Sequence, residues 1–332
     1  MTKRVFINGF GRIGRVFFRN LQKRMGSADI EVVGINDLLP TDMLAYLLKH
    51  DTTYGPFLYD VEGKESALVI GDKEIPVYAE RDPANLPHGD LNVDVVLEST
   101  GFFRKREGAA KHLEAGAKKV LISAPATNPD VTIVYKVNHD AVQPDHKIIS
   151  NASCTTNCLA PVVKTLHDNF SVQKGFMTTI HAVTNDQRVL DAPHKKYTRS
   201  RASCFNLIPT TTGAAAAISL VIPELKDKLD GMAVRAPVIT GSLVDLTVNV
   251  EKSATADEVN KAMMDNANGA MDGVLGVSKD EIVSSDIIGN PLSSIFDPHY
   301  TKVSGNLIKV LSWYDNEAGY SNRCIDVIAK VM

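Results

Sequence analysis

The stretch Arg4-Val5-Phe6-Ile7-Asn8-Gly9-Phe10-Gly11-Arg12-Ile13-Gly14 reads as a short apolar strand that breaks into a glycine turn and opens a helix, with Phe17 and Leu21 following Ile13 at helical spacing. A second strand-like run, Ile30 to Asn36, ends on Asp37, 23 positions after Gly14. Together they make a βαβ unit of the ~30 residues that dinucleotide binding uses. Each glycine then has its own task. Gly9 permits the tight turn, Gly11 lets backbone N–H groups approach a pyrophosphate at the helix N-terminus, and Gly14 allows helix and strand to pack closely. Asp37 at the strand end would accept hydrogen bonds from a ribose and repel a 2′-phosphate, which favours NAD over NADP. The plainer alternatives are a turn in an α/β domain that binds no phosphate and a solvated strand-end aspartate. The context of strand, turn, helix and spaced acid argues against both.

Outward from this unit, strand signals recur at Val93 to Leu97, Lys119 to Ser123 and Lys147 to Ser150, with a helical stretch from Glu107 to Ala117. That alternation fits parallel strands with crossover helices, a doubly wound α/β domain of the Rossmann type over about residues 1–151. Ala67 to Val77, interrupted by Gly71-Asp72, reads as an inserted hairpin with Pro76 suited to an edge. Beyond Asn151 the texture changes. Runs at Phe176 to Ala182, Met232 to Pro237 and Val244 to Val250 alternate with a helical segment from Ala256 to Asn268, the pattern of an α+β catalytic domain (152–315) on a mixed, largely antiparallel sheet. Residues 316–332 form an amphipathic closing helix expected to pack back on the first domain.

Whole-chain properties fit this division. At 332 residues, 44% apolar and 23% charged, the chain suits two soluble globular domains. A net charge of -3 supplies no overall positive field for nucleic acid or acidic membrane, so anionic ligands need local groupings. The amino terminus lacks the pattern of a signal peptide, no run approaches the ~18 apolar residues of a membrane span, and four cysteines are too sparse for a disulfide framework. A cytoplasmic protein is the expectation, and no metal is expected in its site.

One of those cysteines stands apart. Ser150-Asn151-Ala152-Ser153-Cys154-Thr155-Thr156-Asn157-Cys158 runs from a strand into a segment with Leu159, Val162, Val163 and Leu166 on one helical face. Cys154 therefore falls at a helix N-terminus, where the dipole lowers a free-thiol pKa of ~8.5 towards neutrality and Ser153 or Thr155 can cap or bind anions. Pro161 predicts a kink. Cys158, one turn deeper, reads as a small buried residue rather than the partner of a redox pair. His181, 27 residues on at a strand end, could serve as base, although one histidine among nine is a weak choice by itself.

At this point the residues show a likeness. The string Asn151 to Cys158, together with Asn8 to Arg15, Glu98 to Gly101, Thr178 to Ala182, Asn185 to Arg188, Ile208 to Ala215 and Trp313 to Ser321, resembles the glyceraldehyde-3-phosphate dehydrogenases over nearly the whole chain. The resemblance implies a glycolytic, phosphorylating, NAD-dependent aldehyde dehydrogenase, homotetrameric, acting on glyceraldehyde 3-phosphate and inorganic phosphate. It makes Cys154 the nucleophile of a thiohemiacetal and thioester, and His181 its base. It places Ser153, Thr155, Thr184, Arg201, Thr212, Gly213 and Arg235 around the two phosphates. It adds Arg12, Ile13, Arg81, Ser123 and Asn316 to Gly9, Gly11, Gly14 and Asp37 on the cofactor side. Three positions depart from the family pattern: Ala216 where a lysine is frequent, the Val238–Gly241 segment, and Ala192 before Pro193. Two rival readings stand beside it. One is an erythrose-4-phosphate dehydrogenase, which Thr212-Gly213 speaks against. The other is a redox-sensing nucleotide-binding protein, of which loss of His181 or Arg235 would be the sign, and both are present.

Overall fold

A computed structural model describes residues 2–24, 26 and 28–332. Met1, where the reading of the amino terminus begins, lies outside them. The chain forms two compact units, one of residues up to Ile133, His139–Ala152 and Ser321–Met332, the other of Val134–Asn138 and Ser153–Tyr320.

In the first unit the elements are β1 (Lys3–Asn8), α1 (Arg12–Lys23), β2 (Ile30–Asn36), α2 (Thr41–Lys49), β3 (Val61–Lys64), β4 (Ala67–Ile70), β5 (Lys73–Tyr78), β6 (Val95–Glu98), α3 (Arg106–Glu114), β7 (Lys119–Ile122), β8 (Val131–Thr132) and β9 (Ile148–Ser150). Among the described residues they build a nine-stranded sheet in the order β3-β4-β5-β2-β1-β6-β7-β9-β8. Strands β2, β1, β6, β7, β9 and β8 are parallel, as the crossover pattern predicts. The chain leaves β1 for β2 on one side and reaches β6 on the other, so the strand order reverses at β1, where open α/β sheets bind ligands. The hairpin β4–β5 forms, but β5 is not an edge, because Val77 and Tyr78 pair with β2. Pro76 is tolerated there because that pairing begins only after it. Phe6, Val33, Val96, Val120 and Ile148 from the sheet close with Ala109 of α3 on one buried cluster.

The second unit contains α4 (Cys154–Phe170), β10 (Val172–Ala182), β11 (Ile208–Thr211), α5 (Ile218–Val221), β12 (Leu229–Ala236), β13 (Ser242–Val250), α6 (Ala256–Ala267), β14 (Leu275–Val277), β15 (Ser294–Ser304) and β16 (Leu307–Tyr314). Its sheet runs β11-β12-β10-β13-β16-β15-β14. The pairs β10–β12 and β14–β15 are parallel and the others antiparallel. Helix α4 continues through Pro161 as one element of 17 residues. The closing helix α7 (Ala318–Lys330) gives its residues from Ser321 onward to the first unit, where Asp326 pairs with Arg24 at 2.7 Å.

Candidate active site

On the first unit the glycine turn has the backbone geometry that the sequence reading gives to Gly9 and Gly14. Gly9 has φ +91, and a Cβ there would lie 2.7 Å from the Thr100 amide nitrogen. A Cβ on Gly14 would strike the Gly9 carbonyl at 2.3 Å, whereas one on Gly11 would meet nothing. Gly11 caps α1 with no side-chain hydrogen bond, so no side chain of the cap residue stands between the helix N-terminus and an anion. Beside this turn lies a cavity of ≈ 570 Å³ lined by Gly9, Gly11, Asp37 and Arg81 from the expected set, together with Asn36, Leu38, Glu80, Ser99, Thr100, Phe102 and Phe103. Asp37 accepts from the Phe10 amide at 2.8 Å and from the Leu39 amide at 3.1 Å, which fixes its carboxylate on the cavity wall. An apolar slot with an uncapped helix end and a held carboxylate suits a dinucleotide.

Other expected cofactor residues lie elsewhere. Arg12 pairs with the buried Asp51 at 2.5 Å and stacks over Tyr54. Ile13 and Gly14 stand inside α1, and the Ser123 hydroxyl donates to the Glu98 carbonyl at 2.9 Å. Asn316 belongs to the second unit, its side-chain oxygen facing the hydroxyls of Ser242 (2.9 Å) and Thr240 (3.2 Å). Cavity residues such as Asn36, Glu80 and Thr100 were missed, because only strand order brings them to the turn.

On the second unit Cys154 is the first residue of α4. Ser153 caps the helix, its hydroxyl accepting from the Thr156 amide at 3.0 Å. The Cys154 Sγ lies 3.5 Å from His181 Nε2. The register of parallel β10 and β12 sets His181 directly beside Arg235. His181 Nδ1 is 2.7 Å from the Ala182 carbonyl and 2.5 Å from Arg235 Nη1. The carbonyl can only accept and the guanidinium can only donate, so the two contacts make opposite demands on Nδ1 and do not by themselves assign the ring's proton. Arg235 Nη1 also donates to Ala182 O at 3.2 Å, while its Nε is buried and finds no partner among the described residues. A buried cationic donor left open in this way fits an incoming anion.

Burial, reinforced by the Arg235 and Arg199 charges, lowers the His181 pKa to about 3. Burial also pushes the Cys154 thiol above its ordinary value, against the pull of Arg235 and of hydrogen bonds from Thr155. This is opposite to the lowered thiol expected from the helix end: desolvation of the thiolate outweighs the stabilising groups. Cys158 is fully buried, 3.5 Å from the Ser294 hydroxyl, and burial raises its thiol to about 12.

The phosphate set divides. Ser153, Thr155 and Arg235 gather around the cysteine–histidine pair. Thr155 is buried with its hydroxyl 2.8 Å from that of Tyr314, which also meets Thr179 at 2.8 Å while its ring stands edge-on to His181. Thr184 holds Gln187 through both its amide and its hydroxyl, and Thr212 and Gly213 directly follow β11. Arg201 does not join them. Its side chain is 62% exposed and paired to Asp191. Arg199, two residues earlier, is 14% exposed, donates from Nε to Thr210 at 2.8 Å, and is the arginine of this loop whose charge acts on His181 and Arg235. Sequence reading missed both Arg199 and Tyr314; Arg199 and Arg201, two residues apart in one loop, carry no signal that says which turns inward.

The cavity of the first unit and the cysteine–histidine pair of the second define a nicotinamide-dependent dehydrogenase working through a cysteine nucleophile. Residues 3–106 match the family model described as glyceraldehyde 3-phosphate dehydrogenase, NAD binding domain, and residues 153–316 its C-terminal domain. The chain belongs to the glyceraldehyde-3-phosphate dehydrogenases, of the NAD-dependent, phosphorylating type. It is 54% identical over 329 residues to glyceraldehyde-3-phosphate dehydrogenase 2 of Streptomyces avermitilis, covering 98% of each chain. It is likewise 54% identical over 333 residues to the Geobacillus stearothermophilus glyceraldehyde-3-phosphate dehydrogenase, covering 100% of this chain and 98% of that one.

Proposed function

We propose that the chain oxidises D-glyceraldehyde 3-phosphate to 1,3-bisphosphoglycerate, with Cys154 as nucleophile, His181 as base and inorganic phosphate as acyl acceptor. The observation that carries this is the 3.5 Å approach of Cys154 Sγ to His181 Nε2, with the open donor of Arg235 alongside. His181 Nε2 takes the thiol proton as sulfur bonds to the aldehyde carbon, then returns it to the carbonyl oxygen, giving a thiohemiacetal. His181 next accepts the proton of that hydroxyl as hydride leaves the carbon, and a thioester remains on Cys154. Phosphate oxygen attacks the thioester carbonyl, and sulfur departs as thiolate, reprotonated by His181.

NAD, when bound, accepts the hydride. Gly9, Gly11, Asp37 and Arg81 would hold its adenosine and pyrophosphate side; the family resemblance adds Asn316 to the cofactor residues. Residues 1–151 with the closing helix are read as the cofactor half and 152–315 as the catalytic half. Arg235 and Arg199, with Ser153, Thr184, Thr212 and Gly213, take the two phosphates, since guanidinium forks bind and orient such dianions. Arg199 replaces Arg201 in this reading.

The exposed apolar side chains of the loop between β10 and β11, namely Val189, Leu190, Tyr197, Phe205 and Leu207, support a homotetramer. No helix among the described residues is long and apolar enough to cross a membrane, and a cytoplasmic location is proposed with the glycolytic role. The test is NADH formation from glyceraldehyde 3-phosphate with and without phosphate, and with NADP as competing coenzyme. Turnover independent of phosphate would mean that water is the acceptor and would overturn the phosphorylating step. Light scattering that returned a monomer would remove the tetramer.

A further inference from the structure

Beneath the dinucleotide cavity runs a buried polar chain that the reaction does not use. Glu98, at the end of β6, is its hub. Glu98 Oε1 accepts from the Thr100 amide at 2.9 Å and from the Thr100 hydroxyl. Oε2 accepts from Asn8 Nδ2 at 2.6 Å and faces His112 Nε2 at 3.2 Å. On the far side His112 Nδ1 lies 2.9 Å from His88 Nε2. Asn8, Glu98, His112 and His88 are all within 1% of complete burial.

The direction of this chain is determined by its end. His88 Nδ1 is buried and has no hydrogen-bond partner among the described residues. A lone pair left there costs less than an unpaired N–H, whose desolvation nothing repays. The proton of His88 is therefore on Nε2 and is donated to His112 Nδ1, and His112 must carry its own proton on Nε2, aimed at Glu98. Burial, helped by the neighbouring His112, lowers the His88 pKa to about 3, in keeping with a neutral ring. Donors from Asn8, His112 and Thr100 thus all converge on Glu98.

Glu98 holds two walls of the cavity. Through Oε1 it fixes Thr100, and the Thr100 hydroxyl in turn accepts from the Phe102 amide at 3.1 Å. Through Oε2 it orients Asn8, whose Oδ1 accepts from Asn36 Nδ2 at 2.7 Å; Asn36 then brackets the Glu80 backbone, accepting from its N–H at 2.8 Å and donating to its C=O at 2.9 Å. Thr100, Phe102, Asn36 and Glu80 all line the cavity, and the Thr100 backbone is what Gly9 makes room for.

We propose that His88 and His112 are positioning residues for the cofactor: by donating in series to Glu98 they set the loop 98–102 and the Asn8–Asn36 pair against the dinucleotide. This rests on the reading of that cavity as the NAD site.

The experiment is calorimetric NAD binding to the purified, assembled protein, paired with thermal midpoints without cofactor. His88→Phe keeps the ring that stands edge-on to Phe6 at 4.6 Å but removes the donor, whereas His88→Gln keeps a donor. Loss of one buried hydrogen bond that acts through Glu98 should raise the NAD Kd about five- to tenfold in His88→Phe, with His88→Gln closer to wild type. The glyceraldehyde 3-phosphate KM should be unmoved. Glu98→Gln, which turns one acceptor oxygen into a donor facing Asn8 and His112, should weaken NAD at least as much. A wild-type NAD Kd in a folded His88→Phe overturns the proposal. So do equal losses in the Phe and Gln variants, because that result means packing alone. If wild-type protein itself bound no NAD, the reading of the cavity would fail instead.

Discussion

Serine in place of Cys154 separates binding from chemistry. Cys154→Ser should retain NAD binding, because the cavity of the first unit is untouched, while turnover falls to below a few per cent, because a hydroxyl beside a neutral imidazole is a far poorer nucleophile than sulfur. Steady-state NADH formation together with NAD calorimetry checks both halves, and appreciable residual turnover would remove Cys154 from the mechanism. The three arginines differ in a way that kinetics can read. Arg235→Leu should raise the KM for glyceraldehyde 3-phosphate and slow the NADH burst, because the clamp beside His181 both binds and orients the aldehyde. Arg199→Leu should leave a burst followed by a slow, phosphate-insensitive steady state. Arg201→Leu should stay within about twofold of wild type, as its exposed side chain is paired to Asp191 rather than turned towards His181. Rapid mixing with phosphate varied distinguishes the three, and a phosphate defect in Arg201→Leu with none in Arg199→Leu would reverse the assignment.

At the scale of elements, the β1 turn is tied to the end of β2 by the Phe10 amide on Asp37, the group proposed to discriminate between coenzymes. Asp37→Gly removes the acceptor that would bind a ribose and the charge that would repel a 2′-phosphate, so relative use of NADP should rise by at least tenfold, ~1.4 kcal/mol, even as activity with NAD falls. The ratio of kcat/KM values for the two coenzymes measures it, and an unchanged ratio would take Asp37 away from the ribose. Helix α4 shows the opposite balance of forces. Its capped N-terminus is as the sequence implies, yet the thiol at its tip is raised rather than lowered, because an element's end effect acts on a group whose desolvation is decided by everything packed around it. Tyr314 makes the same point from β16: its hydroxyl ties Thr155 of α4 to Thr179 of β10, a bond between elements far apart in the chain.

For the molecule as a whole, buried neutral histidines set the acid limb of stability. His181 and His88 both have pKa values lowered to about 3 by burial, against 6.5 for a solvated imidazole. The unfolded chain therefore binds more protons than the folded one as pH drops below about 6.5, and stability is lost progressively from there towards 3. Urea midpoints should be level above about pH 7 and fall steadily between pH 6.5 and 4.5, before most carboxylates titrate. In total the loss is on the order of a few kcal/mol. Midpoints unchanged over that window would mean that neither ring is held neutral in the fold.

What the sequence determined alone is local in its physics. A strand that breaks at Gly9, a helix opening at Arg12 and a cysteine following the cap Ser153 are all written in contiguous residues, because positive φ, helix periodicity and capping need only neighbours along the chain. The glycine turn, the cysteine at a capped helix end and the order of most elements in both units were legible for that reason. Tertiary structure alone decided which distant groups meet. The β10–β12 register puts Arg235 beside His181 across 54 residues, and the S–N approach joins His181 to Cys154. Folding of one loop turns Arg199 inward and leaves Arg201 in solvent, and the end of β6 gathers Asn8, His112 and, through His112, His88 on Glu98. Those choices follow from strand register and from the cost of burying polar groups without partners, and neither is a property of any short stretch of sequence.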